Sequence, residues 1–489
     1  MELTDRDLIS IQEVRNLIAA AVSAQKRLAL MSQDEIDLIC EAMAKAGEEN
    51  AERLAVMASE ETGFGRPADK TIKNIFGSRA VYESVRDVKT VGVIGEDKKR
   101  RVVEVAVPMG VIAGLVPSTN PTSTVFFKSI IAIKSANAII FSPHPGAKKC
   151  IAEAARVMAD AAEKAGCPAG AVASIKTLTM QATEELMRHK CVSLILATGG
   201  AAMVRAAYSS GNPAIGVGPG NSPAFIERTA DIPLSVKRII DSKTFDNGTI
   251  CASEQSVVTE ECIRERVIEE FKRQGGYFLN DTEKSAVSSV LMRNSGTMNP
   301  AIVGKSPQYI AKLARISVPD DVKVLLGFET EVGEGAPFSR EKLCPVLAFY
   351  TERDWENACE LCIRILNNEG AGHTLVIHSN NESVIREFAL KKPVSRLLVN
   401  TPSALGGVGA TTNLLPSLTL GCGAVGGSSS SDNIGPLNLI NKRRLAYGVK
   451  ELEDIRLDAP ASAGNLRAAQ CGDEDRLLEL VLQRLLDKI

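Results

Sequence analysis

Hydrophobic residues recur at helical spacing through the first part of the chain. Within residues 8–74, apolar positions such as Ile36 and Ile39 follow one another at intervals of about one helical turn. Ser32, with Glu35 three residues later, is typical of a capping box that opens a helix. This region is therefore predicted to be helical, and it contains no residue pattern that indicates catalysis.

From about residue 111, short runs of Val, Ile and Leu alternate with helical stretches. The apolar runs cover residues 111–116, 138–141 and 193–196, and helical stretches at residues 124–135 and 147–165 lie between them. Strands that alternate with helices predict a parallel sheet with helices on both faces. Because ligands bind at the carboxyl ends of the strands in such sheets, the loops at residues 117–120, 142–146 and 198–200 are expected to share one rim.

The same alternation resumes after about residue 231 and predicts a second α/β unit. We therefore divide the chain into a first domain, residues 1–235, a second domain, residues 236–440, and a return segment, residues 441–456. Within the first domain, two valine-rich segments flank a polar stretch and predict a β-hairpin at about residues 90–107. An exposed hairpin of this kind is expected to mediate contacts between subunits.

The last part of the chain changes in composition. Residues 457–472 are rich in Ala, Gly, Pro and Ser and are predicted to be a linker. Residues 473–489 place Leu478, Leu482 and Leu485 on one side of a predicted amphipathic helix. A helix this short needs a groove to bury its leucines, so we expect it to dock on its own subunit or on a partner protein.

Composition narrows the class of protein. A chain of 489 residues with 45% hydrophobic and 24% charged residues is typical of a globular protein with two or three domains. The net charge of −2 and an aromatic content of 4% give no reason to expect a nucleic-acid partner. No apolar run reaches the length of a membrane span, so no membrane partner is expected.

The eleven cysteines indicate a reducing compartment. Their number is odd and their spacing irregular, which argues against a disulfide framework and favours the cytoplasm. Cys359 and Cys362 form a CxxC pair, but neither a second pair nor a nearby histidine completes a zinc site. We interpret both as core residues, and no metal is predicted.

One cysteine stands apart from the others. Cys251 follows a polar turn that contains Gly248 and precedes a β-branched run that ends at Val258. A turn at this point would let the side chain project into a cleft as a nucleophile. A small buried side chain is the commoner role of a cysteine, and the position alone leaves both interpretations open.

Five segments carry a resemblance to a known family. They are Val116-Pro-Ser-Thr-Asn-Pro-Thr122, Ile140-Phe-Ser-Pro-His-Pro145, Leu196-Ala-Thr-Gly-Gly200, Lys243-Thr-Phe-Asp-Asn-Gly248 with Ile250-Cys-Ala-Ser-Glu-Gln255, and Leu418-Thr-Leu-Gly-Cys-Gly423. In this order they resemble the CoA-acylating aldehyde dehydrogenases, including the aldehyde dehydrogenase half of bifunctional aldehyde and alcohol dehydrogenases. The resemblance implies the α/β aldehyde dehydrogenase fold, with a Rossmann-like NAD-binding domain at residues 1–235, a catalytic α/β domain at residues 236–440 and an oligomerisation hairpin.

The resemblance also implies catalytic roles. Cys251 would be the nucleophile that forms a thiohemiacetal with the aldehyde and then a thioester. Asn120, together with the backbone N–H of Cys251, would hold the oxyanion. NAD would accept the hydride. A turn-forming asparagine is the alternative for Asn120.

Cofactor-binding positions follow from the same resemblance. They are Ser142, His144, Thr198, Gly199, Gly200 and Glu341. Thr198 to Gly200 end a strand and open a helix, which leaves backbone N–H groups free to approach a pyrophosphate, although a simple tight turn is the alternative. Ser142 stands where hydrolytic members carry a lysine for the adenosine ribose. Glu341 matches the glutamate that binds the nicotinamide ribose, or is a solvated surface residue.

One position of the hydrolytic relatives has no counterpart here. Those enzymes carry a glutamate that activates water, and the similar segment, residues 216–223, puts Val217 or, with a shift of one residue, Gly216 in its place. Neither residue takes a proton, so attack by water should be slow and the thiol of coenzyme A should accept the acyl group. His373 is a candidate to assist that thiol, and a structural histidine is the alternative.

The sequence therefore predicts reversible, NAD-dependent, CoA-acylating oxidation of a short-chain aldehyde, with acetaldehyde the first choice. Propionaldehyde, succinate semialdehyde and sulfoacetaldehyde stay open as substrates. A hydrolytic aldehyde dehydrogenase and a non-catalytic microcompartment or scaffold component are the competing hypotheses. The tail resembles the encapsulation peptides of bacterial microcompartment enzymes, which makes a shell protein a candidate partner and the microcompartment lumen a candidate location. A homo-oligomer is expected.

Overall fold

The computed structural model describes residues 4–293 and 295–458. The strands are β1 Gly92–Asp97, β2 Val102–Pro108, β3 Val111–Val116, β4 Ala138–Pro143, β5 Val172–Ser174, β6 Val192–Thr198, β7 Ala214–Val217, β8 Ser222–Ile226, β9 Glu254–Glu260, β10 Gly276–Phe278, β11 Val324–Phe328, β12 Val346–Glu352, β13 Gly372–His378, β14 Val394–Val399 and β15 Ile440–Ala446.

Helices separate most of these strands. They are α1 Arg6–Leu28, α2 Gln33–Glu49, α3 Ala51–Thr62, α4 Pro67–Ile75, α5 Val81–Val85, α6 Pro121–Lys134, α7 Lys148–Lys164, α8 Met180–Arg188, α9 Ala201–Tyr208, α10 Ile232–Thr244, α11 Arg264–Arg273, α12 Asp281–Leu291, α13 Pro307–Leu313, α14 Trp355–Asn368, α15 Glu382–Lys391, α16 Ser403–Gly407 and α17 Leu452–Asp458. A single π-helical turn, Phe76–Ala80, follows α4 directly.

The helical start of the chain is confirmed. Helix α2 begins with the predicted capping box, in which Ser32 Oγ accepts from the backbone of Glu35 and the Glu35 carboxylate accepts from the backbone of Ser32. Its apolar side, which includes Ile36 and Ile39, is buried in one core with α6 and α7. These helices cover the first sheet and shield its strands from solvent.

The first sheet has five parallel strands in the order β5-β4-β3-β6-β7. Val116 at the end of β3 pairs with Pro143 at the end of β4, and Leu115 pairs with Ala197 in β6. The loops after β3, β4 and β6 therefore leave the sheet at the same edge, which confirms the predicted shared rim. Every residue of β3 and β4 is buried, as expected for strands covered on both faces.

The second sheet has seven parallel strands in the order β10-β11-β12-β9-β8-β13-β14. The four residues between β7 and β8, positions 218–221, join the two sheets. Both sheets belong to one compact unit that consists of the residues up to Ile94 and Val105–Arg443. β8 lies in the second sheet although it precedes residue 235, so the division of the chain at that residue stays a prediction.

Cys359 and Cys362 lie buried in α14, within the apolar core of the second sheet, as expected of core residues. The ammonium of Lys392 donates to Cys359 Sγ and to its backbone carbonyl. In the residues that the structure describes, no group of three or more His, Cys, Asp or Glu is placed to hold a metal ion.

A smaller unit contains Gly95–Glu104 and the described residues from Arg444 to Asp458. β1 and β2 are neighbours in a three-stranded sheet whose order is β1-β2-β15, which confirms the predicted hairpin. Within this unit, Arg444 pairs with Glu104, and the guanidinium of Arg101 lies 5.3 Å from the ring centroid of Tyr447. The predicted linker and tail helix, residues 457–472 and 473–489, lie outside the described residues except for the end of α17.

Across residues 4–293 and 295–458, no helix combines the length and the apolar character that a bilayer crossing would need.

Candidate active site

Cys251 lies in a sharply folded segment between α10 and β9. The turn Phe245–Gly248 places Asp246 and Asn247 in the left-handed region, with φ of 48° and 52°. The Cys251 side chain is half-buried. Gly220, from the connection between the two sheets, packs directly against the backbone of Cys251, because a Cβ at position 220 would lie 1.9 Å from the Cys251 carbonyl oxygen. The predicted turn before the cysteine is confirmed.

The surroundings of Cys251 disfavour its thiolate. Burial raises the pKa of the thiol to about 12, and Glu341 and Cys422 add to the effect, whereas Arg396 opposes it. The thiol is therefore protonated at neutral pH. These causes also locate Cys251 within electrostatic reach of Glu341, Cys422 and Arg396.

Asn120 caps α6 at the rim of the first sheet and faces the Cys251 segment. Its Nδ2 lies 3.3 Å from the carbonyl oxygen of Thr249, to which it donates, and its Oδ1 accepts from Lys73 Nζ at 2.6 Å. Because a lysine ammonium only donates, the contact with Lys73 fixes which end of the amide is the oxygen. The NH₂ group therefore faces the segment that carries Cys251.

Two buried lysines and one buried aspartate support that amide. Lys73 and Lys70, both from α4, donate to Asp246 Oδ2 at 2.5 and 2.9 Å, and Lys73 also donates to Thr249 Oγ1 at 2.8 Å. Burial lowers the pKa of Lys73 to about 8, although Asp246 opposes the shift. Burial would raise the pKa of Asp246, but the two lysines outweigh it and the pKa is lowered. Sequence reasoning missed this network.

Gly65 makes the network sterically possible. A Cβ at position 65 would lie 1.8 Å from Asp246 Oδ1, and the φ of Gly65 is +69°. The backbone N–H of Arg66 donates to that same oxygen at 2.7 Å. Both oxygens of the Asp246 carboxylate therefore accept hydrogen bonds, Oδ1 from the backbone of Arg66 and Oδ2 from Lys70 and Lys73.

The segment Thr198 to Gly200 offers the open backbone that a phosphate group needs. A Cβ at Gly200 would meet no atom within 4 Å, and one at Gly199 would meet only the Met203 side chain, at 3.6 Å. Gly200 caps α9 without a side-chain hydrogen bond. These features fit the approach of a pyrophosphate to the helix N-terminus.

The other predicted cofactor positions lie at the same rim or beside the thiol. Ser142, at the end of β4, is buried and shares a hydrogen bond of 2.8 Å with Thr183. His144 is exposed, and its Nδ1 accepts from the backbone of Gly146 at 3.1 Å. Ser142 and His144 thus lie together, and Glu341 lies apart from them, near Cys251.

Glu341 contacts the same connection that packs against Cys251. Its Oε1 accepts from the backbone N–H of Gly220 at 2.9 Å, and its own N–H donates to Glu369 at 2.9 Å. Burial raises the pKa of Glu341 to about 8, with a further contribution from Glu369. It is therefore not a freely solvated surface residue.

Gly216 and Val217, the positions proposed for the missing general base, lie in β7. Val217 is buried, and a side chain at Gly216 would collide with Val204 and Tyr208 at 2.6 and 2.9 Å. The Tyr208 hydroxyl accepts from the backbone of Gly216 at 2.9 Å. A carboxylate side chain at Gly216 would therefore not fit this packing.

His373 lies buried at the start of β13, close to Gly220. A Cβ at position 220 would lie 3.3 Å from its ring atom Cδ2. Its Nδ1 shares a hydrogen bond of 2.9 Å with Thr374, and its Nε2 is buried with no hydrogen-bond partner in the described part of the chain. Burial, and to a smaller extent the charge of Arg396, lowers its pKa to about 3. The imidazole is neutral at physiological pH.

The comparisons with known proteins agree with this geometry. A model of the aldehyde dehydrogenase family matches residues 3–411. The bifunctional aldehyde-alcohol dehydrogenase of Escherichia coli (strain K12) is 45% identical over 442 residues, which cover 89% of this chain and 50% of that protein. The chain thus spans about half the length of that relative.

Two solved structures are similar over most of the chain. A probable aldehyde dehydrogenase from Listeria monocytogenes EGD-e is 64% identical with a TM-score of 0.92, covering 92% of this chain and 100% of that one. An acetylating aldehyde dehydrogenase from Geobacillus thermoglucosidasius is 55% identical with a TM-score of 0.91, covering 92% and 99%. The chain belongs to the aldehyde dehydrogenase family, and the predicted fold is confirmed.

Proposed function

We propose that this chain is a CoA-acylating aldehyde dehydrogenase that oxidises a short-chain aldehyde, with acetaldehyde the first choice, to its acyl-CoA. The observation that carries the proposal is the pair Gly216 and Val217 in β7, which take no proton where hydrolytic relatives carry a glutamate. Without that carboxylate, an acyl group on Cys251 waits for a nucleophile stronger than water. A thiol is such a nucleophile, because a fraction of it is ionised near neutral pH.

In the first half-reaction, the Cys251 thiol gives up its proton to solvent as Sγ adds to the carbonyl carbon of the aldehyde, whose C=O π bond breaks to leave the thiohemiacetal oxyanion. Asn120 Nδ2 and the backbone N–H of Cys251 donate to the developing oxyanion, and Lys73 keeps the Asn120 amide in the orientation that allows this. NAD, when bound, supplies the hydride acceptor, and a thioester on Cys251 remains.

The residues that would hold NAD are those at the rim and beside the thiol. Gly199 and Gly200 would hold the pyrophosphate, with open space beside their backbone in support. Ser142 and His144 would contact the adenosine ribose, and Glu341 would bind the nicotinamide ribose. His373 would assist the thiol of coenzyme A in the second half-reaction.

A solved relative supports the thioester step. A propionaldehyde dehydrogenase from Rhodopseudomonas palustris, 25% identical with a TM-score of 0.79, was solved with CoA bound and one cysteine acylated. Other relatives are named for different aldehydes: a succinate-semialdehyde dehydrogenase (acetylating) from Clostridium kluyveri is 39% identical, and so is a sulfoacetaldehyde dehydrogenase from Acholeplasma sp.. These names keep the aldehyde open.

The test is NADH formation from each of these aldehydes with and without CoA. The proposal expects sustained turnover only with CoA, and one turnover per site without it. Carboxylic acid released at full rate without CoA would instead favour the hydrolytic hypothesis. Cys251→Ser should abolish both phases, whereas a non-catalytic scaffold would be inert before and after the change.

We also propose that the hairpin β1–β2 mediates homo-oligomer formation and that residues 457–489 direct the enzyme to a microcompartment shell. A propionaldehyde dehydrogenase from the Clostridium phytofermentans fucose utilisation microcompartment, 27% identical with a TM-score of 0.81, supports the second point. Deletion of residues 457–489 should leave turnover intact and abolish co-purification with shell proteins. A truncated enzyme that still enters shells would contradict the targeting role.

A further inference from the structure

His373 carries an unused hydrogen-bonding atom on the side of the nucleophile. Ring atom Cδ2, which is bonded to Nε2, approaches Gly220, and Gly220 in turn packs on the Cys251 carbonyl. Nε2 is buried and has no partner among the described residues. Whether this atom carries a hydrogen decides whether His373 donates to a substrate or accepts from it.

The answer follows from the neighbours of the other ring nitrogen. Nδ1 lies 2.9 Å from Thr374 Oγ1, and Arg396 Nε lies 3.4 Å from the same oxygen. Thr374 in β13 is the register partner of Arg396 in β14, so the pairing of the two strands brings these side chains together. Arg396, Thr374 and His373 therefore form a hydrogen-bonded series in that order.

The guanidinium of Arg396 is fixed independently of that series. It donates to the carbonyl oxygens of Gly421 and Ser431 at 2.5 and 3.3 Å, and to Asn433 Oδ1 at 3.1 Å. These contacts leave Nε aimed at Thr374.

The hydrogens of this series can now be assigned. A guanidinium only donates, so Thr374 Oγ1 accepts from Arg396. The hydroxyl of Thr374 has one hydrogen, and His373 Nδ1 is its only other recorded contact within the described chain. If Nδ1 carried the hydrogen instead, the threonine hydrogen would be buried without an acceptor, which is unfavourable. Donation along the series from Arg396 to Thr374 to His373 also strengthens each bond.

The geometry points to Thr374 and Arg396 as positioning residues that hold His373 as the tautomer with its hydrogen on Nε2, so that His373 donates a hydrogen bond to the sulfur of the CoA thiolate. This inference rests on the proposed acylating function. His373 is then not the base that removes the thiol proton. The low pKa of the imidazole agrees, because an imidazole with a pKa of about 3 is a poor acceptor for the proton of a thiol.

The step balances without a further reactant. The CoA thiol loses its proton to solvent, and its sulfur, held by His373 Nε2–H, attacks the acyl carbon. The bond between that carbon and Cys251 Sγ breaks, and Cys251 leaves as a thiolate that takes a proton from solvent. One thioester is exchanged for another.

Nitrogen-15 NMR of the imidazole rings in the full-length enzyme tests the tautomer directly. The chain has four histidines, and loss of one ring's signals in His373→Asn assigns His373. We expect an unprotonated Nδ1 and a protonated Nε2 at neutral pH. Signals of the opposite tautomer would overturn the inference, and no substrate is needed, so the outcome is independent of the proposed function.

Two substitutions at position 374 test its role as a positioning residue. Thr374→Val removes the hydroxyl and should shift the ring toward a protonated Nδ1, whereas Thr374→Ser keeps the hydroxyl and should keep the wild-type spectrum. An unchanged spectrum in Thr374→Val would show that Thr374 does not set the tautomer.

A single-turnover experiment tests the donor role. Enzyme acylated at Cys251 is mixed with CoA, and formation of acyl-CoA is followed. His373→Gln places a side-chain N–H near the position of Nε2 and should transfer the acyl group about tenfold faster than His373→Leu, which has no donor. Equal rates would overturn the donor role. Absence of any NADH burst in the wild type would instead count against the proposed function and leave the NMR result intact.

Discussion

The two sides of Cys251 are built on opposite principles. The Asn120 side combines three buried charged residues, Lys70, Lys73 and Asp246, with the polar residues Asn120 and Thr249. Hydrogen bonds join these five residues to one another. The His373 side presents a neutral ring with one nitrogen that has no partner among the described residues. The contacts of the Asn120 side hold its groups in one arrangement, whereas the His373 side keeps a ring nitrogen for a substrate.

This difference matches the order of the proposed reaction. An oxyanion needs a donor whose orientation does not change, because preorganised donors cost no rearrangement when charge develops. A second substrate needs a group that is free to receive it. The charged network therefore fits the first half-reaction, and the unpartnered imidazole fits the second.

The largest effect should come from removing Asp246. Asp246→Ala leaves the ammonium groups of Lys70 and Lys73 buried without their anion, and we expect the free energy of unfolding to fall by about 3–5 kcal/mol. Denaturant unfolding measures this loss. The matched control is Asp241→Ala, which breaks an exposed pair with Lys237 and should cost less than about 1 kcal/mol. Equal losses would mean that the Asn120 side is not held by its charges.

The next effect concerns the oxyanion. Asn120→Ala should raise the barrier for NADH formation by about 3 kcal/mol, a loss of roughly a hundredfold in kcat/KM, because one donor to the oxyanion is gone. Steady-state kinetics measure it, with the exposed Asn16→Ala as a control that should behave like the wild type.

A double-mutant cycle then sharpens the comparison. If Lys73 acts through the Asn120 amide, Lys73→Met should slow NADH formation in the wild type but add little in the Asn120→Ala background. Fully additive losses in the barrier would contradict an action of Lys73 through Asn120.

The smallest effect concerns the pH dependence of stability. The pKa of His373 is lowered from an ordinary value near 6.5 to about 3, so the unfolded chain binds a proton that the folded protein refuses. The free energy of unfolding is therefore undiminished by this group above about pH 6.5 and falls as the pH is lowered toward 3. The loss amounts to about 2 kcal/mol at pH 5. His373→Asn should remove that share of the acid destabilisation, measured by denaturant unfolding at pH 7.5 and 5. The same slope in both proteins would contradict a neutral buried ring.

Much of this architecture was predictable from local patterns. Alternating apolar runs indicated parallel strands, and parallel strands indicated a common rim. Cys251 and Asn120 follow from short motifs, and their roles stay predictions. The capping box of Ser32 and Glu35 was predictable because its two residues lie within one helical turn of each other in the sequence.

The supporting residues could not be predicted in the same way. Lys73 and Asp246 are 173 positions apart, and nothing local marks a lysine of an amphipathic helix as buried. Thr374 and Arg396 meet only because β13 and β14 pair in one particular register. β8 belongs to the second sheet because it pairs with β9, the next strand, and with β13, which lies far along the chain.

The short connection at positions 218–221 has a further consequence. Gly220 within it packs against the carbonyl of Cys251, approaches the imidazole of His373 and donates to Glu341, so one peptide sets the spacing of three candidate site residues. Lengthening this bridge by a single residue would displace all three together. An insertion in this connection should therefore reduce activity as severely as replacement of Cys251, even though residues 218–221 carry no reactive side chain.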